Sequence, residues 1–135
     1  MTAAEKTSSA NTEAKVRQFA VEAAKLAAST RCHNVVLLDV RGISPVTDYM
    51  ILASGTSARQ MRSVCDELAE WAQEQHKVRA LNSDGLEGES WMLIDFVDTV
   101  VHVFNDEARL FYDLDSLWGD AKRIELNLDS SGANR

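Results

Sequence analysis

The stretch YMILASGTS, residues 49–57, joins an apolar run to a turn and to the start of a helix. Its first six residues have the length and apolar character of a β-strand, which Gly55 and Thr56 end. Ser57 followed by Gln60 fits the S-x-x-Q capping box that opens a helix. The stretch therefore predicts a strand, a turn and an amphipathic helix, whose apolar residues recur at helical spacing: Met61, Val64, Cys65, Leu68, Trp71 and Ala72.

Upstream of this stretch, residues 34–40 predict another strand, with four consecutive apolar residues typical of a strand covered on both faces. The gap to the next strand is short, which favours an antiparallel pair because a parallel crossover needs about a dozen residues or more. An Ala-rich helical stripe precedes both strands, and Asn11 or Thr12 is the expected cap of that helix. Residues 1–12 are expected to form a disordered leader.

Downstream, residues 78–81 predict a short strand, and residues 82–89 a loop with two glycines. Residues 91–95 and 99–104 are rich in β-formers and separated by a few residues, which indicates a hairpin. Asn105 is expected to cap a last helix that ends at Gly119. We therefore predict one domain over residues 13–120.

The predicted element order is α-β-β-α-β-β-β-α. It indicates a single α/β domain with a mixed β-sheet of about five strands and helices packed on it. Residues 121–135 are expected to be a flexible C-terminal extension. The length of 135 residues suits one domain with one sizeable core.

Neither a membrane-spanning apolar run nor a signal peptide is recognisable in the sequence. We therefore expect a soluble, cytoplasmic protein. The two cysteines, Cys32 and Cys65, are too few for a disulfide framework or a zinc quartet and are expected to be reduced and packed.

The net charge of −7 is concentrated in one part of the chain. Residues 80–121 carry ten acidic side chains and a single basic one, Arg109, whereas residues 1–79 carry nine acidic and ten basic side chains. Such a surface repels nucleic-acid backbones and attracts a basic partner. Acidic residues that merely keep a small protein soluble are an equally good explanation of the charge alone.

Sequence features that bear on catalysis are weak. The turn at residues 55–57 offers backbone N–H groups to an anion, but a helix cap explains it better. Aspartates near predicted strand ends suit a divalent cation, yet turn formation explains them more simply, and no Asp-x-Asp lies on a predicted strand: Asp39, Asp48, Asp95 and Asp98. We predict no catalytic residues, no metal and no cofactor.

Aromatic residues give a better lead. Four aromatic residues lie in or beside the segments that precede or carry the acidic excess: Trp91, Tyr49, Phe104 and Tyr112. Aromatic residues rimmed by acids suit docking on a basic protein, with core packing as the competing explanation. His102 alternates with Val100 and Phe104 on one strand face and is expected to be buried and hydrogen-bonded.

Several motifs together resemble one family. Residues 48–57, with Arg59 and Gln60 following, resemble the central motif of the ribosome silencing factor (Iojap) family. Residues 88–95, GESWMLID, and 98–104, DTVVHVF, are similar to its second and third motifs. The closing segment at residues 109–118 is similar too. The motifs occur in family order over roughly residues 14–120, which makes the resemblance specific.

The resemblance implies a translation repressor without catalytic activity. Family members bind a basic large-subunit ribosomal protein, protein fourteen of that subunit, on the face that meets the small subunit. The bound factor sterically blocks subunit joining. The resemblance also implies a nucleotidyltransferase-like topology without catalytic acids, and homodimers in isolation.

Carried over by position, Trp91 falls on the family's interface tryptophan. Other motif positions are weaker candidates for partner binding: Asp48, Tyr49, Asp95, His102 and Tyr112. The sequence departs from the family at Val97, where glycine is common, and at Asp115, where glutamate is usual. The alternatives are a nucleotide- or phosphate-binding enzyme of nucleotidyltransferase-like fold and a plain homodimerisation module.

Overall fold

The computed structural model of the chain describes residues 3–85 and 89–127, with side chains for residues 12–81 and 89–127. The helices and strands follow one another along the described chain in an order close to the one predicted. The elements are α1 Ala3–Ser29, β1 His33–Asp39, β2 Tyr49–Ser54, α2 Ala58–His76, β3 Asn82–Gly85, β4 Trp91–Asp95, β5 Thr99–Phe104, α3 Asp106–Tyr112, α4 Leu114–Leu117 and β6 Lys122–Ile124.

The strands form one mixed sheet in the order β3-β4-β5-β2-β1-β6. β1 and β2 are antiparallel, as the short gap between them predicts, and β4 and β5 form the predicted hairpin. β2 and β5 pair in parallel, with Tyr49 opposite Thr99 and Ser54 opposite Phe104. The single-domain mixed α/β fold is confirmed, and the described sheet has six strands where about five were expected.

One face of the sheet is covered by α1 and α2, and we call it the covered face. Every residue of β2 is buried, and Ile51 and Ala53 point to this face together with Val101 and Val103 of β5. The Ala-rich stripe of α1 and the apolar stripe of α2 pack on them. Small side chains let α1 approach the sheet closely, so the main core is a layer between two helices and the sheet.

The opposite face carries a smaller cluster under α3 and α4. Leu38, Met50 and Leu52 of the sheet pack there against Ala108 of α3 and Leu114 of α4. These two short helices cover β1, β2 and the end of β5. They leave part of β4 and β5 without a covering element among the described residues.

The turn before α2 forms the cap that the sequence predicts. Ser57 Oγ accepts a hydrogen bond from the Gln60 backbone N–H at 3.1 Å, and Gln60 Oε1 accepts one from the Thr56 N–H at 2.9 Å. A Cβ on Gly55 would lie 2.3 Å from Met61 Cγ, so only glycine fits between the strand end and the helix.

The chain ends differ from the prediction. α1 begins at Ala3, so residues 3–12 are helical and neither Asn11 nor Thr12 is its cap. The reason is that Ala, Glu and Lys, which have high helix propensity, extend the helix ahead of its packed stripe. At the other end, Lys122–Ile124 form a strand on β1, because the edge of β1 offers unpaired backbone groups. Residues 1–2 and the tail from Leu128 lie outside the described residues.

Two internal elements also differ from the prediction. The third strand is Asn82–Gly85 rather than residues 78–81, and it pairs with β4 within the segment predicted as a loop. Edge pairing is made by backbone groups and needs no apolar pattern. The predicted last helix is broken at Asp113, which adopts the left-handed conformation with φ 50° and separates α3 from α4. Residues 86–88 of the predicted loop lie outside the described residues.

No helix in the described part of the chain has the length and apolar character to cross a bilayer. Cys32 and Cys65 are buried and unpaired with each other, as expected for packed thiols. Burial raises the pKa of both thiols, that of Cys65 to about 12, which keeps them protonated and unreactive near neutral pH.

Candidate partner-binding face

The uncovered part of the second sheet face lies on β4 and β5. Trp91, Leu93 and Asp95 of β4 alternate with the buried residues of that strand and are half-exposed. Val100 of β5 is half-exposed opposite Asp95, and His102 lies opposite Leu93. We call these five residues the open face. Leu93 and Val100 belong to neither packed cluster, whereas Trp91 packs on Tyr112 of α3 and His102 is buried. Exposed apolar surface of this kind is a candidate contact site.

Trp91 is held in place by aromatic and polar contacts. Its ring stacks on Phe104 with centroids 5.1 Å apart and packs on Tyr112 at 4.7 Å. The indole Nε1–H donates a hydrogen bond to His102 Nδ1 at 3.0 Å. The indole is therefore pre-organised and half-exposed, the state in which an aromatic anchor loses little conformational freedom on binding.

His102 supports this arrangement from beneath. It is 7% exposed, and burial lowers its pKa to about 4, so the ring is neutral near pH 7. Because Nδ1 accepts from Trp91, the ring proton lies on Nε2. The sequence-based expectation of a buried, hydrogen-bonded histidine is confirmed. This hydrogen bond orients the Trp91 indole.

Carboxylates lie at the edge of the sheet where β4 ends and β2 and β5 begin. The backbone N–H groups of Asp48 and Tyr49 both donate to the Asp98 carbonyl, at 3.1 and 3.0 Å. Asp95 ends β4 close by, and its Oδ1 accepts from the Val97 N–H at 2.7 Å. Burial, with the neighbouring charge of Asp48, raises the pKa of Asp98. Asp48, Asp95 and Asp98 thus form an acidic rim beside the open face.

The turn between β4 and β5 explains one departure from the family. Val97 has φ 76°, in the left-handed region that favours glycine and that a β-branched residue rarely adopts. The hairpin keeps the geometry that glycine would give, and the Asp95 carboxylate stabilises it. The side chain of Val97 is 50% exposed at the acidic rim.

Tyr112 borders the other end of the open face, where α3 is fixed by an arginine. Arg109 Nε and Nη2 donate to the two carboxylate oxygens of Asp115 at 3.1 and 3.0 Å. Its Nη1 donates to Ser54 Oγ at 3.0 Å and to the Asn34 carbonyl at 2.5 Å. One guanidinium therefore ties α3 and α4 to β1 and β2, which sets the position of Tyr112. The family's usual glutamate is replaced here by an aspartate that still forms a bidentate pair.

Exposed apolar residues continue past Tyr112. Leu110 and Phe111 are 81% and 79% exposed, and Leu117 of α4 is 72% exposed. Their helical spacing does not correspond to a buried stripe, because the helix is interrupted at Asp113 and only Ala108 of α3 and Leu114 of α4 are buried. Sequence alone offered no sign of their exposure.

One sequence-based candidate is placed elsewhere. Tyr49 is 1% exposed and belongs to the covered face, among the residues packed under α1 and α2. It cannot touch a partner of the folded domain, so its assignment to partner binding was wrong. All six β2 residues are buried, and that pattern carries no alternation from which the side could be read.

Much of the acidic excess is exposed on the segments that carry the open face and on the two short helices beside it. Of the acidic residues in the described part of 80–121, six are exposed: Glu89, Asp98, Asp106, Glu107, Asp113 and Asp120. Two of the six are engaged elsewhere, since Glu89 pairs with Arg62 of α2 and Asp106 pairs with His33 of β1. The side chains of Asp84 and Glu87 lie outside the described residues. An aromatic strip with an acidic surround is complementary to a basic, partly apolar protein surface.

Other chemistry finds little support in the described part of the chain. Asp39 is engaged by Arg41, whose Nε and Nη2 donate to its two carboxylate oxygens at 2.9 and 2.6 Å. No three or more of the described His, Cys, Asp and Glu side chains form a group that could hold a metal ion. The Thr56 N–H and the Ser57 hydroxyl are both used in capping α2.

The geometry defines a class: a mixed α/β domain with one helix-covered sheet face and one partly open, aromatic and acidic face. Comparison with known proteins identifies its family. The model of the family described as "Ribosomal silencing factor during starvation" matches residues 13–135. The matched range runs through residues 121–135 as well.

Individual relatives agree with the family match. The chain is 40% identical over 96 residues to a protein of Halalkalibacterium halodurans named ribosomal silencing factor, covering 71% of this chain and 81% of that one. It is 30% identical over 129 residues to the chloroplastic Iojap protein of Arabidopsis thaliana, covering 96% of this chain and 53% of that one. A crystal structure from Chromobacterium violaceum superposes with a TM-score of 0.67 at 26% identity, over 88% of this chain and 95% of that one.

The chain belongs to the ribosome silencing factor (Iojap) family. The sequence-based recognition of that family is confirmed, and the fold agrees with a solved structure of similar sequence.

Proposed function

We propose that this protein represses translation by binding the large ribosomal subunit on the face that meets the small subunit. Its partner there is a basic ribosomal protein, protein fourteen of the large subunit. The bound domain occupies the space that the small subunit needs and so prevents joining by steric exclusion. The single observation that carries the proposal is the family match over residues 13–135. No catalytic step is part of the proposal.

The open face is the docking surface in this proposal. Trp91 is its central anchor because the indole is half-exposed and held by Phe104, Tyr112 and His102. Burying such an aromatic residue in an interface commonly contributes about 2 kcal/mol or more. Leu93 and Val100 extend the apolar strip, and Asp48 and Asp95 contribute charge from the rim.

Charge complementarity supports a basic partner. Residues 80–121 carry ten acidic side chains and one basic one, and the basic one, Arg109, is engaged by Asp115. The approach to a basic surface is therefore accelerated by long-range attraction, which salt screens. We expect the affinity for the large subunit to fall as salt is raised, mainly through slower association.

The direct test is sedimentation of the purified protein with separated large and small subunits. We expect comigration with the large subunit, none with the small subunit, and fewer joined ribosomes when both are mixed. Absence of comigration at low salt would contradict the proposal. Comigration without any loss of joined ribosomes would refute the steric mechanism while leaving the binding intact.

Variants locate the contact. Trp91→Ala is expected to weaken large-subunit binding by at least about thirtyfold, from the loss of roughly 2 kcal/mol. Trp118→Ala is the matched control, because Trp118 is also half-buried and packs in the same cluster under α4. Circular dichroism and thermal melting check that both variants fold. Equal loss of binding in the two would show that Trp91 acts through stability alone.

Charge reversal tests the acidic surround separately. Glu107 is exposed on α3 near the open face, and Glu70 is exposed on α2 over the covered face. Glu107→Lys is expected to slow association and to flatten its salt dependence. Glu70→Lys makes the same charge change over the covered face and is the control. Indistinguishable association rates for the two variants would argue against docking through the open face.

We further propose that the isolated protein forms a homodimer through the exposed apolar residues of α3. Leu110 and Phe111 are more than three-quarters exposed, and a second copy would bury them. Light scattering of the wild type and of a Leu110→Ser, Phe111→Ser variant tests this. A wild-type monomer at high concentration, or a dimer that the double variant leaves intact, would exclude this mode of association.

A further inference from the structure

A cavity lies on the helix-covered side of the sheet, and it reaches the turn between β4 and β5, where it shares Asp98 with the acidic rim. It opens between α1, the C-terminal end of α2 and the turn between β4 and β5, with a volume of about 470 Å³. Cavities of roughly 300–1,000 Å³ are the size in which proteins bind small molecules. Nothing in the proposed docking mechanism uses it.

The floor of the cavity is apolar and partly aromatic. Phe19 of α1 and Phe96 of the hairpin turn meet edge to face with centroids 5.2 Å apart, and Val16 and Val78 flank them. Trp71 lies behind Phe19 at 4.9 Å. Edges and faces of aromatic rings favour another ring or a branched aliphatic group as their occupant.

One residue that lines this cavity carries a buried polar atom without a hydrogen-bond partner. Thr99 begins β5 and is 0% exposed, and its Oγ1 has no partner. Nearly all buried polar side-chain atoms are hydrogen-bonded, so an unpartnered hydroxyl at a cavity needs an explanation. A polar atom of a bound molecule would supply the missing partner.

The rim carries charges of both signs. Lys15 of α1 and Lys77 at the end of α2 are exposed at the mouth, and among the described residues no ion pair engages either amine. Asp98 lies on the same rim, where burial and the charge of Asp48 raise the pKa of its carboxyl. Two amines complement a carboxylate, and Asp98 in turn suits a ligand amine.

We propose that this cavity binds a small amphipathic carboxylate, with an aromatic or branched apolar group on Phe19 and Phe96 and its carboxylate at Lys15 and Lys77. The Thr99 hydroxyl donates to or accepts from a polar atom of this ligand. Free apolar amino acids and their deaminated acids share this chemistry. The site is independent of the ribosomal docking proposed above, so either proposal can fail without the other.

The test uses 3-phenylpropionate and L-phenylalanine as probes on the full chain. We expect saturable amide shifts in nuclear magnetic resonance spectra, confined to residues near 15–19, 75–78 and 96–99, and a matching calorimetric titration. Tighter binding of L-phenylalanine would show that Asp98 receives the ammonium. Tighter binding of 3-phenylpropionate would show that the two lysines alone select the ligand. Both results support the site.

Two variants separate the ligand contacts from folding. Thr99→Val removes only the unpartnered hydroxyl, so we expect no loss of thermal stability and about tenfold weaker binding, as for one lost hydrogen bond to a charged group. Lys15→Glu is expected to weaken binding by about tenfold as well. Lys25→Glu makes the same change on an exposed position of α1 outside the cavity and should leave binding unchanged.

The proposal is overturned if neither probe gives saturable shifts up to its solubility limit. It is also overturned if the shifts map to the open face. Binding that survives Thr99→Val and Lys15→Glu unchanged would equally exclude this cavity, because those variants remove the proposed hydroxyl contact and reverse the charge of one of the two proposed lysines.

Discussion

The two faces of the sheet differ in how completely helices cover them. On the covered face, Ile51, Val101 and Leu68 lie at 0% exposure under two long helices. On the open face, Leu93, Asp95 and Val100 of the same strands remain half-exposed, beside two helices of seven and four residues. The strands are shared, so the helices alone decide which face is core and which is available for contact.

This difference separates the residues that stabilise the domain from those of the proposed docking surface. Most of the apolar burial lies between the sheet and its two long helices, and that layer fixes β4 and β5 from behind. The open face can then present aromatic and acidic side chains without supplying much of the folding free energy. Functional residues placed on a rigid sheet lose little conformational freedom when they bind.

The largest expected effect comes from the same deletion on the two faces. Leu68→Ala removes a side chain that is 0% exposed on the covered face and should destabilise the fold by about 4 kcal/mol. Leu93→Ala on the half-exposed open face should cost about 1 kcal/mol. Urea unfolding followed by circular dichroism measures both. Similar costs would erase the distinction between the faces.

The next effect concerns the arginine that fixes α3 and α4. Arg109→Ala should destabilise the fold by about 3 kcal/mol, because the Arg109 side chain is 12% exposed and its loss leaves Asp115 and Ser54 without that partner. Arg41→Ala breaks a bidentate pair of the same kind, with Asp39, but Arg41 is 44% exposed, so its cost should stay below about 1 kcal/mol. Equal free energies of unfolding for the two variants would contradict this account.

A smaller effect depends on pH through His102. Its pKa in the folded state is about 4, below the usual value of 6.5, so the unfolded chain binds more protons between these values. Stability is therefore lost as the pH falls through this window, by about 2 kcal/mol between pH 7.5 and pH 5.

The control for that measurement is His102→Asn, which keeps an acceptor near Nδ1 but does not titrate. Its free energy of unfolding should fall less than that of the wild type over the same pH range. Fluorescence of Trp91 should change together with the wild-type loss, because protonation removes the acceptor of its indole N–H. Parallel pH profiles for the two proteins would show that His102 is not the titrating group.

The smallest expected effect is at the hairpin turn. Val97→Gly should stabilise the fold by about 1 kcal/mol, because φ 76° strains a β-branched residue more than the added freedom of glycine costs the unfolded chain. Val100→Gly, on a strand with no such strain, should destabilise instead. A thermal melt of each variant is sufficient, and a lower melting temperature for Val97→Gly would contradict the strain.

Much of the local structure followed from sequence. The apolar run of 49–54 and the capping pair Ser57 and Gln60 predicted β2, its turn and α2, because strand periodicity and caps are local properties. The Asn105 cap was predicted for the same reason, and its Oδ1 accepts from the Ala108 N–H at 2.8 Å. The alternation around His102 predicted its burial, and the motifs together predicted the family.

Only the tertiary structure decided the rest, because it depends on contacts between distant segments. The parallel pairing of β2 with β5 brings Asp48 beside Asp98, and an edge of β1 with unpaired groups recruits Lys122–Ile124 as a strand. The predicted last helix is interrupted at Asp113, and Leu110 is exposed although its spacing is helical. Tyr49 is the clearest case. A strand that is buried on both faces has no polar side, so the sequence of β2 does not reveal which way any of its residues points.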